Sequence, residues 1–393
     1  MLSPEHRVIV KATVPLLESG GEALTTHFYA KMLRDYPQVR PMFNQTHQAS
    51  GAQQRALANG VLMYARHIDE LEKLGGLVGQ IINKHVALNI LPEHYPIVGT
   101  CLLASIREVL GEEIATDAVI DAWAAAYGQL ADLLIGLETQ IYDDKAHAPG
   151  GWRGTRPFRV ARKVRESDEI TSFYLQPADG AAILDFHPGQ YTGLRLTIDG
   201  DEVRRNYSLS AASNGREYRI SVKREPNGKV SNYLHDAVHE GDTLDVFTPS
   251  GDFRLEPADK PLVLISGGVG ITPTLAMLHA ALDQGRDVHF IHAARHGGVH
   301  AFRDTIDSLA ARHPQLTHFY CYEQPRDGDP DAHGTGHLNE TLLDRWLPED
   351  RDVDVYFLGP VPFMKAIKRH LKAVGVPESQ SCYEFFGPAS ALD

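Results

Sequence analysis

The chain is poor in several features that would place it quickly. Its three cysteines, Cys101, Cys321 and Cys382, lie far apart and form no C-x-x-C pair. That excludes a disulfide framework, gives no support to a thiolate metal site, and fits a reducing compartment. No run of Lys and Arg exceeds two residues and the formal charge is −13. A protein that neutralises a phosphate backbone needs a basic face, so nucleic acid is not an expected partner. The N-terminus has no charged segment leading into an apolar run, and no window reaches the roughly 18 apolar residues of a membrane span. No membrane span, no obligate protein partner and a cytoplasmic location are the expectations. Internal repeats and low-complexity tracts are also missing.

What is present is enough chain for two or three domains, since 393 residues exceed one ordinary domain. Residues 1–147 carry helical periodicity. One stripe runs Trp123, Tyr127, Leu130, Leu134, Leu137, Ile141; another runs Gln53, Leu57, Val61, Tyr64, Ile68, Leu71; a third runs Val78, Ile81, Ile82, His85, Leu88. Pro37 and Pro41 interrupt the pattern and predict a corner over Tyr36–Phe43. The Pro149-Gly150-Gly151 segment cannot continue a helix and marks a boundary. From Phe158 to about Leu255 the period is two, with strands expected at 171–175, 191–198, 218–222 and 243–247, which reads as a small antiparallel barrel. From Pro261 strands alternate with helices, with strand cores at 261–265, 288–292, 318–322 and 353–357. A parallel, helix-covered sheet follows. The domains expected are therefore 1–147, all-α; 148–257, antiparallel β-barrel; and 258–393, α/β with a parallel sheet.

The strand Leu262–Ile265 runs into Ser266-Gly267-Gly268-Val269-Gly270 and then into a helix that opens Ile271-Thr272-Pro273. Such a turn brings bare N–H groups and a positive helix end to a pyrophosphate, although a glycine turn alone is often only a turn. Before it, in order, stand Gly189-Gln190-Tyr191, Arg205-Asn206-Tyr207-Ser208 and Gly228-Lys229-Val230-Ser231-Asn232. Together these resemble the ferredoxin-NADP reductase superfamily from about residue 155 onward. The resemblance implies FAD and NAD(P)H as cofactors. It implies that Tyr191 and Tyr207 pack on the flavin, Arg205 with Asn206 meets the FAD pyrophosphate, Ser208 bonds near the flavin N5, and Ser231 belongs to the same site. It also implies that Gly268, Val269, Gly270, Ile271, Thr272 and Pro273 serve the nucleotide, with Phe385, Phe386, Gly387 and Pro388 on the nicotinamide side. Many relatives have Cys directly before the Gly359-Pro360 pair, where this chain has Leu358; that departure puts the efficiency of hydride transfer in question. Arg295, just after the second strand of the parallel sheet, reads either as a contact for a 2′-phosphate or as a solvated loop charge.

In the helical part His85 lies on an apolar stripe beside Lys84. A lone inward histidine is more often a satisfied core residue than a metal ligand. Tyr29 and Gln53 are two further inward polar residues, and polar groups are costly to bury without a use. With Tyr29, Phe43, Gln53, Lys84, His85, Tyr95 and Glu138, residues 1–147 resemble the globin domain of flavohaemoglobins, and the globin-plus-reductase order matches that family. The resemblance implies haem b held through its iron by His85, with Phe43 and Lys84 at the haem, Tyr29 and Gln53 facing dioxygen, and Tyr95 with Glu138 behind His85. From the helical pattern alone Glu138 could equally be a solvated flank. The activity implied is NAD(P)H-dependent nitric oxide dioxygenation, with nitric oxide and dioxygen as substrates and nitrate as product. A gas carrier or sensor with a built-in haem reductase, and a flavin reductase acting on ferric ions, quinones or hydroperoxides, stay open beside it.

Overall fold

The computed structural model describes residues 2–43 and 51–386, so the expected site residues Gly387 and Pro388 lie outside the described residues. Among the described residues the α-helices before the parallel sheet are α1 (Pro4–Ala12), α2 (Val14–Asp35), α3 (Ala52–Arg66), α4 (Gly75–Ala87), α5 (His94–Leu110), α6 (Asp117–His147) and α7 (Lys229–Asp236). The strands among them are β1 (Thr155–Arg165), β2 (Ile170–Pro177), β3 (Tyr191–Ile198), β4 (Asp201–Ser208), β5 (Tyr218–Lys223) and β6 (Thr243–Phe247). The remainder alternates as β7 (Leu262–Gly267), α8 (Ile271–Asp283), β8 (Val288–Ala294), α9 (Arg303–Arg312), β9 (Leu316–Tyr322), β10 (Gly334–Thr335), α10 (Glu340–Trp346), β11 (Asp354–Leu358), α11 (Val361–Ala373) and β12 (Ser381–Tyr383). Main-chain proximity divides the chain into two compact units. Residues 195–205 group with 1–148, and 149–194 group with 206–393.

The helical unit starts at Ser3, whose hydroxyl caps α1 by accepting the His6 N–H at 3.1 Å, with Pro4 at the first helical position, where its missing N–H costs nothing. The expected corner is a 3₁₀ helix over Pro37–Met42. Phe28, Met32, Tyr64, Ile68, Leu102, Ile106 and Trp123 form the core of this unit. Helix α6 packs against α1, α4 and α5. It is the helix that, among the described residues, has the length and composition to cross a membrane. Its buried face carries Trp123, Ala126, Ala131, Leu134, Glu138 and Tyr142. Here the sequence pattern needs correction: Leu137, placed on the inward stripe, is 37% exposed, and Glu138 is 2% exposed. Beyond Leu134 the inward series advances in fours, to 138 and 142, because those positions stay above Leu134 on the helix surface.

The antiparallel sheet has the order β4-β3-β6-β1-β2-β5, and the parallel sheet has the order β10-β9-β8-β7-β11-β12. All the strands named from sequence are present. Strand β7 is buried along its whole length, as a central parallel strand covered on both faces must be. Glycine at 189, with φ +102°, is required twice over, since a Cβ there would sit 2.0 Å from the Phe253 carbonyl oxygen.

Behind β7 and β8 lies a polar cluster in an apolar setting. His292 and His300 lie with ring centroids 4.5 Å apart and planes tilted by 31°; Nδ1 of the first meets Ser266 Oγ at 2.8 Å, and Nδ1 of the second meets Tyr322 Oη at 2.8 Å. Neither Nε2 has a hydrogen-bond partner among the described residues. Burial pushes His292 down to about 3, and burial, then His292, Arg303 and His318, hold His300 well below its ordinary value. Both rings are neutral in the native state but charge in the unfolded chain near pH 6.5, so the unfolded state binds more protons below that value. Stability should therefore fall as pH drops from 6.5 toward 5, by up to about 1.4 kcal/mol per pH unit for each histidine. Urea midpoints across that range should slope less in His292→Gln; an unchanged slope would remove the pair from the acid response.

Candidate functional site for haem, flavin and nicotinamide

His85 sits in the last turn of α4, and its neighbours take one nitrogen. His85 Nδ1 is 2.8 Å from Glu138 Oε1 and 3.1 Å from Tyr95 Oη, while the Tyr95 hydroxyl donates to the same Oε1 at 2.7 Å. The single tyrosine proton is thus committed to the carboxylate, and Nδ1 is the remaining donor. The network assigns the hydrogen to Nδ1 and leaves the Nε2 lone pair available to a metal. The ring side chain is 32% exposed although it stands among Val78, Ile81 and Leu88, which are also half-buried. A flat apolar group over that face would cover them, so the residues present fit a haem. Two tyrosines brace the arrangement. Tyr142 Oη donates to the Ile90 carbonyl at 2.8 Å just beyond α4, and Tyr127 Oη donates to the Tyr95 carbonyl at 2.7 Å. Arg204, grouped with the helices, donates to the Leu88 carbonyl at 2.5 Å and so adds positive charge at the C-terminal end of α4. Sequence reasoning missed Tyr142 and Arg204; the four-residue step from Glu138 to Tyr142 was the available signal for the first.

Tyr29, on α2, is 6% exposed, with its ring edge-on to Phe28 and Phe43 at centroid separations of 5.0 and 5.6 Å. Burial raises its pKa far above the ordinary phenol value, and the side-chain hydrogen bond to Gln53 on α3 only partly offsets this. The phenol therefore stays protonated at any working pH. The structure thus brings Tyr29, Gln53 and Phe43 into one cluster and His85, Tyr95 and Glu138 into another. Lys84 is half-buried beside His85.

In the second unit Tyr191 is buried, and its ring stands 2.7 Å from where a Cβ on Gly251 would be. Tyr207 is half-buried and Asn206 is exposed. Ser208 is 6% exposed, yet its Oγ has no hydrogen-bond partner among the described residues. A buried orphan hydroxyl is costly unless a ligand takes it, and a flavin polar edge is such a ligand. Arg205 places one guanidinium nitrogen 2.7 Å from the Arg204 carbonyl oxygen. Ser231 is committed locally, its Oγ accepting the Glu225 N–H at 3.1 Å and donating to the Gly228 carbonyl at 3.3 Å, so it shapes the turn before α7.

The nucleotide turn Gly268–Gly270 leads straight into α8, where Pro273 lies in the first turn and removes no needed hydrogen bond. Gly270 must be glycine: a Cβ would lie 2.2 Å from the Leu358 carbonyl oxygen. The Leu358 side chain is fully buried, in the core cluster that also holds Leu264, Ile271 and Leu275. Phe363, absent from the sequence reading, packs its ring so that Cβ atoms on Gly267 and Gly359 would be 3.1 and 2.6 Å away. Phe385 meets Tyr383 edge-on at 5.8 Å, and Phe386 is 49% exposed. Arg295, exposed after β8, is ion-paired with Glu169.

A helical unit built around a carboxylate-backed histidine, joined to a flavin barrel and a dinucleotide sheet, defines a nicotinamide-driven flavin and haem oxidoreductase. The comparisons agree. Residues 26–134 match the globin family, 157–255 the oxidoreductase FAD-binding domain and 264–369 the oxidoreductase NAD-binding domain. The chain is 76% identical over 393 residues to a flavohemoprotein of Burkholderia sp. (strain TH2), covering 100% of both chains, and 68% identical to that of Pseudomonas aeruginosa over the same full lengths. A crystal structure of flavohemoglobin from Malassezia yamatoensis with bound FAD and heme superposes with a TM-score of 0.85 at 28% identity, covering 98% of this chain and 100% of that one. The FAD/NAD-binding domain of nitric oxide dioxygenase from Vibrio cholerae aligns with 60% of this chain and 100% of its own at 40% identity and a TM-score of 0.56. The chain belongs to the flavohaemoprotein family. Its cofactors are haem, FAD and NAD(P)H.

Proposed function

We propose that the protein is an NAD(P)H-dependent nitric oxide dioxygenase, a cytoplasmic enzyme that removes nitric oxide as nitrate. Residues 1–147 would hold the haem, 148–257 the FAD and 258–393 the nicotinamide nucleotide. When bound, the flavin accepts a hydride and yields electrons singly, and the haem iron supplies the centre at which dioxygen and nitric oxide combine. The chain's own groups do the rest. Glu138 and Tyr95 hold the Nδ1 proton of His85, which orients the ring and makes Nε2 more electron-donating, an arrangement suited to activating oxygen rather than storing it. Tyr29, kept protonated by burial and oriented by Gln53, presents an O–H donor to a polarised diatomic ligand. Phe43 and Lys84 would border the haem, Arg205 and Asn206 would take the FAD pyrophosphate, Tyr191 and Tyr207 would flank the flavin ring, and Ser208 would donate to its edge. Gly268, Val269, Gly270, Ile271, Thr272 and Pro273 would receive the nucleotide pyrophosphate on backbone N–H groups, with Ser231, Phe385, Phe386, Gly387 and Pro388 completing the flavin and nicotinamide sides.

The observation that carries the reading is the pairing of a buried, neutral Tyr29 with a histidine backed by a buried carboxylate, all in a chain with its own reductase. A carrier or sensor whose reductase only keeps the iron ferrous would bind gas stoichiometrically and release no nitrate in turnover. The purified protein given NADH, dioxygen and nitric oxide should form nitrate in large excess over its haem. Nitrate that never exceeds the haem present would end the proposal.

A further inference from the structure

Arg295 follows β8, the second strand of the nucleotide sheet, about the distance past the glycine turn at which dinucleotide folds read the adenosine ribose. At such positions a carboxylate accepts from a 2′-hydroxyl, whereas an arginine receives a 2′-phosphate. Taken alone, Arg295 would mark a site for the phosphorylated nucleotide. The structure gives that cation a resident counter-ion. Its Nη2 is paired with Oε1 of Glu169, in the turn between β1 and β2; the arginine side chain is 57% exposed and the glutamate 28%.

The pair is built from fixed backbone on both sides. Glu169 is held by its carbonyl, which accepts the Arg224 N–H at 2.7 Å, and by its N–H, which reaches Ser167 Oγ at 3.3 Å. Arg295 is held by its carbonyl, which accepts the Gln324 N–H at 2.8 Å. Next to them the Asp168 N–H donates to the Gly298 carbonyl at 2.9 Å, so the β1–β2 turn is hydrogen-bonded to the loop after β8. Asp329 accepts the Gly297 N–H at 2.9 Å from the other side of that loop, and Asp168 Oδ2 would stand 2.6 Å from a Cβ on Gly298. Asp168 and Asp329 therefore fasten the loop that carries Arg295 through Gly298 and Gly297, while Glu169 meets the guanidinium itself. Asp168 is itself paired with Arg165 at 2.7 Å, which leaves Glu169 as the partner of Arg295.

We infer that Glu169 is a specificity-determining residue for the electron donor: by occupying the Arg295 guanidinium it makes the site favour the 2′-hydroxyl nucleotide over its 2′-phosphorylated form. A 2′-phosphate would have to displace the Glu169 carboxylate from Arg295 and then stand beside it. An exposed ion pair is weak, so the discrimination is modest and can be reversed by one substitution. The inference rests on the assignment of residues 264–369 as the nicotinamide dinucleotide domain.

The test uses the FAD-loaded full-length protein and two probes, ADP-ribose and 2′-phospho-ADP-ribose, titrated calorimetrically. In Glu169→Gln the affinity for the 2′-phosphorylated probe should rise about fivefold or more while that for ADP-ribose stays within about twofold. The gain should vanish in the double variant Glu169→Gln/Arg295→Ala, and the ratio of kcat/KM for NADPH to that for NADH should move with the binding ratio. Equal changes for both probes, no change for either, or a gain that survives loss of Arg295 would overturn the role of Glu169. Failure of ADP-ribose to bind even the wild-type protein would instead overturn the placement of the nucleotide site.

Discussion

Tyr29→Phe should release dioxygen roughly ten- to a hundredfold faster than the wild-type protein, as expected for the loss of a charge-assisted hydrogen bond of about 1.5 to 3 kcal/mol. The substitution keeps the ring, which packs edge-on against Phe28 and Phe43, and removes only the donor that Gln53 orients. Haem content and fold should therefore be retained. Nitrate formation should fall steeply at limiting dioxygen and recover in part at saturation, since the loss is one of affinity. The rate of FAD reduction by NADH, set by the second unit, should not change. Stopped-flow dioxygen dissociation and nitrate assays at two dioxygen concentrations decide the matter. Unaltered dissociation would remove Tyr29 from the ligand face, and slowed flavin reduction would mean that the substitution had damaged more than a hydrogen bond.

His85→Ala should be still more severe for the haem and milder for the rest. The core of the helical unit is built from Phe28, Met32, Tyr64, Ile68 and Trp123, none of which depends on the imidazole. Folded protein with FAD and NADH:dye reductase activity is expected, with most of the haem absorption lost. The variant also strips Glu138 of one of two hydrogen-bond partners while Tyr95 retains the other. A buried carboxylate left half-satisfied should lower the stability of the helical unit by about 1 to 3 kcal/mol. Full haem occupancy with an ordinary Soret band would sink the assignment of His85.

The strands were legible because a two-residue period and continuous β-branched runs survive any tertiary context. The parallel sheet in particular came from β7, whose unbroken apolar run has no other stable home. His85 and Tyr29 were legible as polar residues on apolar stripes. Glu138 was ambiguous because one position of helical phase separates it from Leu137, and only packing against α4 and α5 selects the carboxylate over the leucine for the interior. Ser231 has a local role that its motif did not announce: its hydroxyl ties together the turn that precedes its own helix. The pairing of Glu169 with Arg295 was beyond reach, since it joins residues 126 positions apart. No periodicity or motif encodes such a meeting, which depends on a turn of one sheet lying against a loop of another.

The contact between Gly270 and the Leu358 carbonyl has a consequence for how such a chain tolerates change over generations. The interlock is made by main-chain atoms, and every amino acid supplies the same carbonyl at position 358. The side chain there is fully buried, in the same apolar cluster as Leu264, Ile271 and Leu275. A change of side chain at 358 is then felt in the hydrophobic interior, Ile271 included, while the carbonyl that meets Gly270 stays as it is. The two positions touch, yet they tolerate change differently: position 270 is fixed by its lack of a side chain, whereas position 358 asks only for a side chain that the buried cluster can hold.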